Sequence, residues 1–190
     1  MEAARSNRMY FAEENESLRK IVRRIAERSP GNVTARPVDA LVYTVIRATG
    51  AERCLELGAY EGTTSLYIAQ GLADNGTGEL VAIEIDESSA RGARKHLEEA
   101  GLAEYAEVVV GDSREYVPTL DGDAEFDLVF VSTPPQQHAE DYENVRPLLA
   151  EGGFLGIDNA TGSSNAVEMA RDDGIDVLEF DDWSFALAQA

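Results

Sequence analysis

Apolar positions along this chain alternate between two rhythms. Short apolar runs near residues 53–58, 79–85, 106–110, 126–132, 153–158, 175–180 and 184–189 read as strands, and stretches with helical periodicity separate the first six of them. Two helices come first. Residues 12–29 place Leu18, Ile21, Val22 and Ile25 on one stripe, and Ser29-Pro30-Gly31-Asn32 breaks the pattern. The next helix, Pro37 to Thr49, has proline at its start and Gly50 just past its end, the expected asymmetry of helix termini. Strands alternating with helices predict an α/β fold, a doubly wound, mostly parallel sheet of seven strands. The short gap before the last strand predicts a C-terminal hairpin, and so one antiparallel strand.

The run Cys54-Leu55-Glu56-Leu57 is apolar apart from one acid, which suits a parallel strand covered on both faces. Gly58 and Gly62 bracket the turn that follows. A residue without Cβ there lets the backbone take unusual dihedrals and lets a ligand approach its amides. Thr63 and Thr64 open the next helix, whose unpaired N–H groups attract a carboxylate or phosphate. The spacing is E-x-G-x-x-x-G, not the G-x-G-x-x-G of dinucleotide sites, which argues against NAD. The strand Leu80 to Asp86 ends in carboxylates about twenty residues on, where an acid accepts both hydroxyls of a ribose. Glu84 and Asp86 share a face by strand alternation, so spacing alone does not choose between them.

With these motifs in order, residues Gly31 to Asn159 resemble the class I S-adenosylmethionine-dependent methyltransferases, and within them the catechol O-methyltransferase-like group. The matching segments are LELGAYEGTTS, VAIEID, GDSRE (Gly111 to Glu115), FDLVFVS and GIDNA. The resemblance implies a Rossmann-like sheet and S-adenosyl-L-methionine as cofactor. Carried over by position, Glu56, Gly58 and Tyr60 line the methionine end, Thr64 binds the methionine carboxylate, and Val33 contacts it through its backbone. Glu84 matches the ribose acid, Ser113 and Arg114 the adenine side with Asp112 beside them, and Gly62 and Ser132 complete the set.

The departures from the family fall on its chemistry. Metal-dependent members end the fourth strand in an Asp that binds Mg2+, followed by a Lys that serves as base. Here Ser132 stands at the aspartate position and Pro135 at the lysine position, while Asp158 and Asn159 match the other two metal ligands. A hydroxyl is a poor substitute for a charged oxygen on a hard cation, and proline has no proton acceptor. The candidate catalytic residues are therefore Asp158, at a strand end where ligands of open sheets collect, and His138, whose imidazole accepts a proton near neutral pH. His96, in a charged helix, reads as surface. Glu179 is a loose match to an acid that touches the acceptor in the family, and a strand-edge glutamate by default. Tyr10 and Phe11 either cap the pocket or pack on the first helix.

The charge adds a second constraint. The 190 residues carry 36 acids against 16 bases, a net charge of −20, and Lys20 and Lys95 are the only lysines. The acids are spread through the chain rather than gathered in a tail, a composition that resembles proteins of salt-loving archaea. Molar salt shrinks the Debye length to about 3 Å and removes the self-repulsion that otherwise opposes folding. A phosphate backbone is repelled by such a surface at low ionic strength, and no basic stripe is present, so nucleic acid is a poor partner. No segment approaches the length of a membrane span, and the N-terminus lacks the apolar core of a signal peptide, so the expectation is a soluble cytoplasmic protein. The single cysteine, Cys54, sits in a core strand and reads as an inert thiol.

One domain over residues 1–190 is expected, with residues 1–35 as a helical cap segment. The amphipathic helix in that segment either covers the sheet or pairs two copies into a homodimer. The leading expectation is O-methylation of a small hydroxyl or phenolic acceptor, with a metal-independent route open to it. An RNA (tRNA) methyltransferase on the same scaffold, or a cofactor-binding protein without transfer activity, are the alternatives.

Overall fold

A computed structural model describes residues 16–28, 37–120, 125–160 and 165–190. Val33, Tyr10 and Phe11 lie outside the described residues. The strands are β1 (Arg53–Leu57), β2 (Glu79–Glu84), β3 (Ala106–Val110), β4 (Phe126–Val131), β5 (Leu149–Asp158), β6 (Asp176–Phe180) and β7 (Phe185–Gln189). They form one sheet in the order β3-β2-β1-β4-β5-β7-β6. Neighbours among β1 to β5 pair in parallel, and β7 runs antiparallel to both β5 and β6. This is the doubly wound sheet with a C-terminal hairpin that the element pattern predicts. The hairpin folds back so that β7 lies inside the sheet and β6 forms the edge.

Strand alternation divides the core between the two faces of the sheet. Cys54 of β1, Leu80 and Ala82 of β2, and Leu128 and Phe130 of β4 face α1 (Glu16–Arg28), α2 (Pro37–Thr49), α3 (Thr63–Asn75) and α4 (Glu87–Ala100). Leu55, Leu57, Ile83, Val129 and Val131 point the other way. They pack toward α6 (His138–Val145) and α7 (Ala166–Asp172), while α5 (Ser113–Tyr116) is a single turn after β3. Glu56 shares the face of Cys54, so a carboxylate is directed beneath α3. Leu18, Ile21, Val22 and Ile25 of α1 are buried in the same cluster, and α1 packs on α3 and α4. The apolar stripe therefore packs on its own fold, against α3 and α4.

Two expectations need correction. β5 starts at Leu149, four residues before the expected start: Leu149 already pairs with Phe126 of β4, and the register then shifts so that Leu128 meets Phe154, with Gly152 between Leu149 and Phe154 in a left-handed conformation. His96 is not on the surface: it is 3% exposed, and its Nδ1 lies 2.9 Å from the carbonyl oxygen of Glu61. It braces the glycine turn from α4.

Candidate active site

The strand order reverses between β1 and β4, since β2 and β3 continue to one side and β5 to the other. Ligands of open α/β sheets bind in the crevice at the carboxyl ends of the strands at such a point. A cavity of about 260 Å³ lies there. Gly58 and Tyr60 line it just past β1, and Glu84 and Ile85 at the end of β2. Asp112 and Ser113 close it from β3, and Ser132, Thr133 and Gln137 from the segment after β4.

The glycine turn is built for close approach. Gly58 has φ +86, and a Cβ there would lie 2.8 Å from the carbonyl oxygen of Ser132. Only glycine lets the turn after β1 rest against the end of β4. Gly62, at φ 84, caps α3, and a Cβ on it would meet Ala93 at 2.9 Å. Tyr60 is held at φ 49 and Asn159 at φ 55, left-handed conformations that cost a non-glycine residue about 1 kcal/mol or more. Both flank the cavity end of the sheet.

Glu84 is the acid aimed at the cavity. It is 8% exposed, and its Oε2 accepts the Tyr60 N–H at 2.7 Å while Oε1 accepts the Asp86 N–H at 2.9 Å. Asp86 does different work: its Oδ1 accepts from the Ser89 N–H at 2.7 Å, capping α4, and that bond holds its carboxyl below the usual range. The capping position of an Asp ahead of a helix is a signal the sequence offered.

Two polar networks lie behind the walls. Beneath α3, the Ser65 hydroxyl donates to Glu56 Oε2 and the Thr64 hydroxyl donates to Asp39 Oδ1 at 3.0 Å. Glu56 is 1% exposed, and burial pushes its carboxyl up to about 8, with the Ser65 bond opposing and the charges of Asp39 and Glu84 reinforcing. Asp39 was not anticipated, because its partner comes from another helix and leaves no pattern in the sequence. On the other side, the Thr133 hydroxyl donates to Asp141 Oδ2 and the Ser113 hydroxyl to Oδ1 at 3.4 Å. Burial raises the Asp141 pKa, while those two hydroxyls and nearby His138 favour the ionised form.

His138 is fully buried, and its Nε2 lies 2.8 Å from the Thr133 carbonyl oxygen, which requires the proton on Nε2. It does not line the cavity, and its Nε2 is engaged by the backbone. Arg114 turns from the cavity to chelate Asp112, with contacts of 3.0 and 2.6 Å, and the guanidinium holds that carboxyl low. Glu179 forms an ion pair with Arg171 on the edge of the sheet, away from the cavity. Burial pushes the Cys54 thiol up, as an inert core residue requires.

Asp158 is 1% exposed at the end of β5, and its Oδ2 lies 3.4 Å from both Ser132 Oγ and Asn159 Nδ2. These three residues supply one carboxylate, one amide and one hydroxyl, a single negative charge in all, and one of the two carboxylate oxygens already faces two donors. Among the described residues no group of three or more His, Cys, Asp or Glu converges as metal ligands. The set does not fit a hard divalent cation.

A buried acid at the strand switch, a glycine turn and a helix N-terminus are the parts of a nucleotide-binding site on an α/β sheet. Residues 55–160 match the methyltransferase-domain family, and the chain belongs to it. It is 33% identical over 112 residues to a catechol O-methyltransferase of Mycobacterium tuberculosis, covering 59% of this chain and 50% of that protein. It is 27% identical over 181 residues to tricin synthase 2 of Oryza sativa subsp. japonica, covering 92% of this chain and 60% of that one. The chain thus spans about half to three fifths of the length of these relatives. Among solved structures, the O-methyltransferase TomG from Streptomyces achromogenes, involved in tomaymycin synthesis and solved with SAM, superposes with TM-score 0.77. It is 27% identical, with 95% of this chain and 92% of that chain covered. Among the described residues no helix is long and apolar enough to cross a membrane.

Proposed function

We propose that this chain is an S-adenosylmethionine-dependent O-methyltransferase for a small hydroxyl-bearing, phenolic acceptor. The observation that carries the reading is Glu84, a buried carboxylate at the strand switch whose two oxygens are anchored by backbone N–H groups and border the cavity. Two fixed acceptor oxygens match the vicinal hydroxyls of a ribose. Ile85, 68% exposed beside it, offers an apolar face to a flat base. The names of the catechol O-methyltransferase, tricin synthase and SAM-bound TomG support the same assignment.

In this reading Asp112 and Ser113 form the base end with Arg114 holding Asp112 from behind the wall, and Glu56, Gly58, Tyr60, Gly62, Thr64 and Val33 are assigned to the amino-acid end, where α3 presents its N-terminal N–H groups. Bound there, the cofactor supplies a methyl carbon on a positively charged sulfur, which leaves with its electron pair as a neutral thioether when an oxygen takes the methyl. The chain's task is to position the acceptor and to take its proton. Asp158, which stands behind the cavity wall, is the carboxylate for that proton, reached through Ser132: the acceptor's proton passes to the Ser132 oxygen as the Ser132 hydroxyl gives its own to Asp158. No step is routed through a metal. The reading takes the chain as one domain working in a cytoplasm of high salt.

Incubation with S-adenosylmethionine carrying a labelled methyl group in molar KCl, with catechol and caffeate offered in turn, tests the assignment by mass spectrometry. A methyl ether is expected, with kcat lowered at least about tenfold in Asp158→Asn. Label on tRNA and on none of the phenols would overturn the choice of acceptor.

A further inference from the structure

We propose that Asp141, on α6, sets the hydrogen-bond polarity of the cavity's base end and so selects a purine with an amino group at position 6. The inference rests on the cofactor reading above and deepens it. Asp141 is 1% exposed and does not line the cavity. It touches the cavity through two residues that do: Thr133 donates to its Oδ2 and Ser113 to its Oδ1 at 3.4 Å. These hydroxyls come from different segments, Thr133 from that after β4 and Ser113 from the start of α5, and the one carboxylate gathers them.

A hydroxyl has one hydrogen to give and two lone pairs with which to accept. A carboxylate only accepts, so each hydroxyl that bonds Asp141 spends its hydrogen there and turns lone pairs toward the cavity. The Thr133 carbonyl oxygen is held by His138, which fixes the wall carrying that hydroxyl. Asp112, the charged group at this end, is likewise an acceptor, its carboxylate gripped from the far side by Arg114. Asp112, Ser113 and Thr133 therefore all accept. Gln137 is the cavity residue there that both donates and accepts. An exocyclic 6-amino group donates two hydrogens and matches this wall. A 6-oxo group places an acceptor against acceptors and leaves it unsatisfied, the situation that gives polar sites their largest discrimination.

The distinguishing variant is Asp141→Asn. An amide of the same shape keeps one acceptor oxygen but replaces the other with a donor, so one hydroxyl is released to point its hydrogen into the cavity. Calorimetric titration of S-adenosylhomocysteine and of S-inosylhomocysteine, its 6-oxo analogue, into the wild-type protein and the variant in molar KCl reads the effect. Wild type should prefer the 6-amino ligand by about tenfold or more, and the preference should fall at least about fivefold in Asp141→Asn. Ser113→Ala, which leaves Asp141 in place, should weaken the 6-amino ligand and spare the 6-oxo one. It carries the test should the asparagine variant fail to fold. A purely structural role for Asp141 would weaken both ligands together, and an unchanged ratio in both variants would overturn the inference while leaving the cofactor reading intact. Failure of wild type to bind either ligand would instead overturn the cofactor reading, and the inference with it.

Discussion

Replacing Glu56 by Gln should change how stability depends on pH far more than it changes stability in mild acid. The side chain is 1% exposed between β1 and α3, and burial, opposed by the Ser65 bond and reinforced by Asp39 and Glu84, pushes its pKa from 4.5 to about 8. In the unfolded chain the group ionises near its ordinary value. A folded-state pKa above the unfolded one gives a contribution that is whole below about 4.5 and is lost as pH rises toward about 8. That interval, at about 1.36 kcal/mol per pH unit, amounts to about 5 kcal/mol, a large share of a domain's net stability. Glutamine keeps the volume, still accepts from Ser65 and never ionises. Urea unfolding followed by circular dichroism at fixed KCl should therefore show the two proteins diverging as pH rises from 5 to 9, with the variant gaining by up to about 5 kcal/mol. Other titrating groups are common to both proteins and cancel in the difference. Parallel stability curves across that range would refute the reasoning.

Three further outcomes follow from the same geometry. Gly58→Ala combines φ +86 with a Cβ 2.8 Å from the Ser132 carbonyl oxygen, and should lower stability by about 2 kcal/mol or more in a thermal melt. Glu84→Gln keeps one acceptor oxygen but loses the charge, and should weaken S-adenosylhomocysteine about tenfold or more by calorimetry; unchanged affinity would remove the ribose assignment. With a net charge of −20, the fold should lose helix signal in dilute buffer and regain it in molar KCl, and a spectrum constant across a KCl series would sink the high-salt reading.

The sheet was legible in the sequence because its strands are buried on both faces, so β1 and β4 appear as near-unbroken apolar runs. The hairpin was legible from the short gap between β6 and β7. The start of β5 was not, since Leu149 to Gly152 precede the apolar run, and the strand reaches back to Leu149 only across a shift of register against β4. Glu84 and Asp86 were inseparable by alternation and are separated by the structure, one lining the cavity and the other capping α4. The two histidines show the larger limit. Both sit on polar helices and are buried: the Glu61 carbonyl that receives His96 is 35 residues away, and the Thr133 carbonyl that receives His138 is only five residues upstream but meets it through a loop turn that the helix pattern does not reveal. Asp39, bonded to Thr64 across 25 residues, and Asp141, bonded to Ser113 across 28, escaped notice for want of any such pattern. A buried polar residue is recognised by its partner, and partners distant along the chain have no spacing to read.

The most direct test of the account is calorimetric titration of S-adenosylhomocysteine into the protein in molar KCl, with circular dichroism on the same sample to verify that it is folded. Binding at one site per chain with a micromolar dissociation constant is the predicted result. A folded sample that releases no heat and shows no thermal stabilisation with the ligand would contradict the central claim that the cavity at the β1–β4 switch holds this cofactor.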